Sequence, residues 1–275
     1  MRLRLITAVL AAVCLLPVHP TQAQSFSFAV MGDSRPSAGE DDLPVLRAIA
    51  TDIAREDVAF VLGTGDYIAG SRNQAQVRAQ YERFFEALAP MQANRTIPVA
   101  FAPGNHDIMG IPANESIFTE YFEHLYFSFD AGGCHFIVLN TDGAHSSGMI
   151  DDHQLQWLRR DLLVHRAARF TFVVMHQPLF PVDGHVGSSL DVHPERRDAL
   201  HELFVQSGVD SVFAGHEHLY NHQERDGIHY FITGGAGAPL YAPPERGGFY
   251  HYLLVQVEDD RYRVTVRRVT MTGEG

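Results

Sequence analysis

A chain of 275 residues, 45% hydrophobic and 20% charged, holds enough apolar material for one sizeable core and is not a low-complexity chain. Its formal charge of −12, from 33 acidic side chains against 21 arginines with no lysine, argues against nucleic acid or an anionic membrane as the main partner. An acidic chain of this kind can attract a phosphate only where bound cations supply local positive charge.

The chain opens with Met1-Arg2-Leu3-Arg4, an apolar run over 5–16, Pro17 and the small-residue ending Thr21-Gln22-Ala23. This pattern predicts a cleaved signal peptide over 1–24, because the run is too short for a span of ~20 residues. The expected location is periplasmic or secreted, with a single domain over 25–275 and no membrane span after cleavage. Removing the two signal arginines leaves 19 basic against 33 acidic residues. Cys134 is then the only cysteine, so no internal disulfide is expected, and its apolar neighbours suggest a packing role.

Residues 26–31 read as a strand ending at Gly32-Asp33, and 42–55 as a helix with Val45, Leu46, Ile49 and Ile53 on one face. A strand at 58–62 runs into Gly63-Thr64-Gly65-Asp66, and a helix follows over 74–88. A third strand at 97–102 is halted by Pro103-Gly104-Asn105-His106-Asp107. Residues 126–129 and 135–140 read as a strand pair across Gly132-Gly133. A helix over 154–164 precedes a strand at 170–175 that ends at His176. A further helix over 196–205 precedes a strand at 211–214 that ends at Gly215-His216-Glu217-His218. The last segments, 228–233, 250–258 and 262–268, read as antiparallel strands of a partly antiparallel second sheet. Early βα alternation with a late meander predicts an α/β fold of two packed sheets with helices outside.

Five strands thus end in Asp33, Asp66, Asn105-His106-Asp107, His176, and His216 with His218. Ligands in α/β sheets bind beyond the carboxyl ends of strands, so these residues can converge across most of the chain. Carboxylates, imidazoles and an amide oxygen suit borderline ions such as Mn, Fe or Zn, and the absence of thiolates argues against a structural zinc site. Alternation in a strand-like loop would put His216 and His218 on one side, with Glu217 directed towards solvent or a second shell. Each block alone is an ordinary turn or a strand-end residue; their ordered combination carries the reading.

Gly32-Asp33-Ser34-Arg35, Gly65-Asp66, Gly104-Asn105-His106-Asp107, His176 and Gly215-His216-Glu217-His218 resemble the five signature blocks of the calcineurin-like metallophosphoesterases, which include purple acid phosphatases. The resemblance implies a four-layer α/β/β/α sandwich with a dinuclear centre at the strand C-terminal edge. It implies two divalent or trivalent ions bridged by Asp66. Asp33 and His218 would hold the first ion, and Asn105, His176 and His216 the second. It further implies hydrolysis of a small phosphate ester, monoester or diester, by a metal-activated hydroxide attacking phosphorus in line. His106, with Asn105 beside it, would meet the substrate as acid or transition-state stabiliser, and Asp107 would orient His106. Many members carry a histidine two residues after the first aspartate; here Arg35 stands there and cannot ligate. It either forks onto substrate phosphate or pairs with Asp41 or Asp42. Ala69 occupies the position of the purple phosphatases' metal-binding tyrosine, so a ferric–tyrosinate centre is not implied. The contrasting expectation is a non-catalytic metal- or phosphate-binding module of the same fold, which Arg35 favours. The remaining histidines read mostly as surface or supporting groups, and Gly234-Gly235-Ala236-Gly237 as a tight turn near the site, with Tyr220 and Tyr241 as candidate lining residues.

Overall fold

The computed structural model describes residues 25–37, 42–93 and 95–271. The expected signal peptide over 1–24 and Asp41 lie outside the described residues.

The elements follow in order. The first half holds β1 (Phe26–Met31), α1 (Pro44–Ile53), β2 (Val61–Gly63), α2 (Gln74–Ala87), β3 (Val99–Phe101), α3 (Asn105–Ile108) and α4 (Pro112–Phe122). Next come β4 (Phe127–Ala131), β5 (Cys134–Val138), the short β6 (Asp142–Gly143) and β7 (Ser146–Ser147), α5 (Asp152–Val164) and β8 (Thr171–Val174). The chain closes with α6 (Pro194–Ser207), β9 (Ser211–Ala214), β10 (Tyr220–Arg225), β11 (Ile228–Thr233), β12 (His251–Glu258) and β13 (Arg261–Arg268).

One sheet has the order β13-β12-β1-β2-β3 and the other β10-β11-β9-β8-β5-β4. The β1, β2 and β3 strands run parallel, as do β5, β8, β9 and β11, while β12, β13, β4 and β10 pair antiparallel. Strand alternation sends Phe28, Val30, Leu62, Leu253 and Val255 inward from the first sheet, against Phe136, Val138, Phe172, Val174 and Phe213 from the second. Phe28 and Phe136 meet edge to face at 5.2 Å, a geometry that satisfies the ring quadrupoles inside this shared core. The outer face of the first sheet is covered by α1, α2 and α4 through Leu46, Ile49, Val77, Phe84 and Phe118. The outer face of the second is covered by α5 and α6 through Leu158, Leu162, Leu200 and Phe204. The result is the four-layer α/β/β/α sandwich with two mixed sheets.

One expectation is corrected. The second sheet is partly antiparallel, but the last three predicted strands do not all lie in it: β11 joins β9 there in parallel, whereas β12 and β13 return to extend the first sheet beside β1. Apolar alternation identifies a half-buried strand but says nothing about its partner. The 105–107 block, which taken alone reads as an ordinary turn, lies in the single helical turn α3.

Candidate metal centre

All five blocks lie at the carboxyl ends of β1, β2, β3, β8 and β9, on one edge of the two sheets. The loops interlock through their backbones. Asp33 donates its N–H to the Gly65 carbonyl at 2.9 Å, and Ser34 and Arg35 donate theirs to the Asp66 carbonyl at 3.0 and 3.1 Å. Such approach requires residues without a Cβ. A methyl on Gly104 would sit 2.3 Å from Asp66 Oδ1, and one on Gly215 would sit 2.3 Å from Asp33 Oδ2.

Asp33, Asp66 and His216 adopt the left-handed conformation, with φ of 58°, 57° and 70°. A Cβ makes that region costly for a non-glycine residue, so three strained backbones in one place mark a site held for its side chains. The turn at His216 overturns the expected extended path through 216–218. His216 and His218 both reach the centre, but by a left-handed bend.

One group of donors is tightly gathered. His176 Nε2 lies 2.9 Å from Asn105 Oδ1, 3.1 Å from His216 Nδ1 and 3.4 Å from Asp66 Oδ1. These spacings approach the edge of roughly 3.3 Å that a tetrahedron of 2.0–2.1 Å metal–ligand bonds requires. His176 Nδ1 faces the Thr64 carbonyl at 2.8 Å and serves as its donor, which directs Nε2 into the group. The Asp66 carboxylate, the Asn105 amide oxygen and the His216 ring nitrogen thus crowd around His176 Nε2, where one cation would satisfy all four. Burial alone would lower the His176 imidazolium, but Asp66, Asp33 and Asp142 outweigh it and push it up to about 9. Burial and the neighbouring His176 hold His216 far below the ordinary imidazole range, and its buried Nε2 has no partner.

The second group is leaner. His218 Nε2 lies 3.4 Å from Asp33 Oδ1, and His218 Nδ1 is turned to the Pro239 carbonyl at 2.6 Å. Asp33 also accepts the His216 N–H at 3.0 and 3.1 Å. The outer oxygen of Asp66, Oδ2, faces His106 Nε2 at 4.0 Å and Arg35 Nε at 3.8 Å. Asp33, Asp66 and His176 each bring a donor within 4.8 Å of the others, and His218 joins them on the Asp33 side.

The structure relocates several expected roles. Asp107 does not contact the His106 ring. Its buried carboxylate accepts N–H bonds from Gly104, Asp66 and Tyr67 at 2.8, 2.9 and 3.2 Å, and the Tyr81 hydroxyl at 3.3 Å. Burial and then the nearby Asp66 charge push its carboxyl upward, and the amide donors oppose them. His106 is oriented instead by the Ala69 carbonyl, 2.9 Å from its Nδ1. Of the two surroundings expected for Glu217, solvent or a second shell, the structure shows the latter, with the side chain buried. It accepts N–H bonds from Val182, Asp183 and His185 at 2.8, 2.6 and 3.4 Å, and so ties down the loop that lays His185 over the His216 ring at 3.9 Å. Asp42 pairs with Arg47, not with Arg35, whose Nη2 donates to the Tyr241 hydroxyl at 3.2 Å. Tyr241 stacks on His218 at 4.2 Å, whereas Tyr220 packs towards Phe249 and His251. Buried Asp142, held by Thr141 and Gln177 behind His176, had no motif to announce it.

A two-sheet sandwich with carboxylates and imidazoles gathered on one edge defines a metal-binding phosphoesterase scaffold. The calcineurin-like phosphoesterase family model matches residues 26–220, and the chain belongs to that family. It is 28% identical over 273 residues to purple acid phosphatase 21 of Arabidopsis thaliana, spanning 93% of this chain and 57% of that protein. It is 31% identical over 168 residues to the serine/threonine-protein phosphatase CPPED1 of Bos taurus, spanning 58% of this chain and 52% of that one. The chain thus spans about half the length of these relatives. Among solved structures, yellow lupin purple acid phosphatase PPD1 superposes with a TM-score of 0.72 at 18% identity, over 91% of this chain and 52% of that one. A dimetal phosphatase from Danio rerio superposes with a TM-score of 0.66 at 16% identity, over 88% and 96%. These two likenesses establish the fold.

Proposed function

We propose that the protein is a metal-dependent phosphoric ester hydrolase, acting on a small phosphomonoester or phosphodiester at a dinuclear centre. The observation that carries this reading is the gathering of Asp66, Asn105, His176 and His216 donors at 2.9–3.4 Å, with Asp33 and His218 alongside. Two bound divalent or trivalent ions, of the Mn, Fe or Zn type, would supply Lewis-acid polarisation of a phosphoryl group and lower the pKa of water.

The chain's own residues do the rest. Asp66 directs Oδ1 to the tight donor group and Oδ2 to the lean side, the disposition of a bridging carboxylate. His106 holds its Nδ1–H on the Ala69 carbonyl, so Nε2 faces the open side; as an imidazolium it carries a second N–H there, which can donate to a phosphoryl oxygen or pass to the leaving oxygen. Arg35 presents an unpartnered Nε beside Asp66 and can fork onto the substrate phosphate. Asp107 works one step back, locking the 65–67 and 104–107 loops to each other. The start of the chain supports export to the periplasm or medium, which cell fractionation tests.

The decisive experiment combines metal analysis with turnover of aryl phosphate mono- and diesters. His176→Ala should lose about one ion per chain and all measurable turnover. His106→Asn should keep its metal and lose on the order of 10²–10⁴ in kcat. Full turnover by chelator-treated protein or by His176→Ala would refute the reading. Metal binding without turnover on either ester would instead leave a binding module.

A further inference from the structure

Arg35 stands where the ligand set runs short. Its side chain is only 15% exposed, although a guanidinium ordinarily seeks water. Its Nε points at Asp66 Oδ2 from 3.8 Å and has no hydrogen-bond partner. One contact fixes the far end of the group: Nη2 donates to the Tyr241 hydroxyl at 3.2 Å. Tyr241 is itself held, its ring lying nearly parallel to His218 at 4.2 Å and 18°. A proposed ligand of the lean side therefore carries, on its back, the residue that steadies the arginine.

We propose that Arg35 is a resident counter-cation of the lean side, that Tyr241 is its latch, and that phosphate binding frees this side for its ion by drawing the guanidinium away. This rests on the centre described above. Asp66 Oδ2 is the oxygen that the lean side needs, and Arg35 already neutralises it. A divalent ion on that oxygen would meet a fixed positive charge a few ångströms away, in a buried setting where screening is weak. No guanidinium contacts the side with Asn105, His176 and His216 among the described residues, so the two affinities should differ. A phosphate group offers the guanidinium a better, bidentate partner and brings negative charge to the cations. Phosphate and the ion of the lean side then favour each other, and the coupling is reciprocal.

The test is calorimetric titration of Mn(II) into chelator-stripped full-length protein, with and without inorganic phosphate, using wild type, Arg35→Ala and Tyr241→Phe. Wild type should bind in two steps, the weaker at least tenfold apart from the tighter, and phosphate should tighten the weaker step. Arg35→Ala should tighten that weaker step tenfold or more without phosphate and shrink the phosphate effect. Tyr241→Phe, which deletes only the latch oxygen, should shift in the same direction by a smaller factor. A weaker step that is unchanged or looser in Arg35→Ala overturns the proposal, as does a wild type with two equal steps. Loss of the tighter step in His176→Ala alone shows that the centre is intact as a premise. A tighter step that survives His176→Ala removes the centre itself, a failure that is separate and recognisable.

Discussion

The residues of this centre are held in conformations that their own backbones resist. Asp33, Asp66 and His216 each have positive φ, in a region that costs an L-residue roughly 1–2 kcal/mol and glycine almost nothing. A specific ordering follows for Asp66. Replacement by Gly should leave the metal-free protein about 1 kcal/mol more stable than replacement by Ala, although both lose the carboxylate proposed to bridge the ions. Urea denaturation of both variants in chelator measures the difference, and equal midpoints would show that the strain is illusory. The identities of the gathered donors were legible in the sequence, because strand ends with Gly-Asp, Asn-His-Asp and His-x-His leave few other readings. The duties of their neighbours were not. Asp107 reads as the partner of His106 and Glu217 as a residue turned towards solvent or a second shell, yet each spends its carboxylate on three backbone N–H groups, and no local pattern in the sequence reveals which amides will lie within reach.

At the scale of elements, the hairpin β4–β5 is joined to α5 by an ion cluster away from the centre. Buried His135 places Nδ1 2.7 Å from Asp130 and Nε2 2.8 Å from Asp161, and its ring lies on that of His165 at 3.9 Å. Burial lowers the His135 imidazolium, but the hydrogen bonds to Asp161 and Asp130 outweigh it and the net shift is upward. Burial likewise raises Asp161, and His135 with Ser128 turns the net shift downward. The raised histidine contributes stability that is complete below its ordinary 6.5 and fades as pH rises through the folded value. The lowered aspartate contributes above its ordinary 3.8, and its share fades as pH falls through the folded value. The cluster is therefore strongest near pH 5–6. Asp161→Asn should cost about 3 kcal/mol there and markedly less at pH 9, read from denaturation midpoints at each pH. A cost that is flat across that range would refute the cluster. Most elements were legible from apolar periodicity, which repeats every 3.6 residues in a helix and every two in a half-buried strand. The α4 helix was not read, because its apolar residues crowd into the second half as Ile117, Phe118, Tyr121 and Phe122 after a polar first turn. Nor was β10 legible: a polar edge strand such as Tyr220–Arg225 carries little apolar alternation.

Across the whole molecule, no described helix is long and apolar enough to cross a membrane, and the order β13-β12-β1-β2-β3 governs how the parts come together. The β1 strand, which delivers Asp33, pairs on one side with β2 and on the other with β12, more than two hundred positions later in the chain. Contacts of such long sequence separation carry a large closure entropy and form late. A chain ending at residue 248 lacks β12 and β13 and leaves β1 with an open flank. It should bind no metal stoichiometrically and show no cooperative thermal transition, which atomic absorption and calorimetry would reveal; a truncated chain that still takes up its ions would contradict this. The first donor is thus synthesised early and made usable last. On the proposed function, a half-built or clipped polypeptide would neither hold ions nor act on esters, and the strand order would double as a safeguard of timing with the C-terminal hairpin as its release.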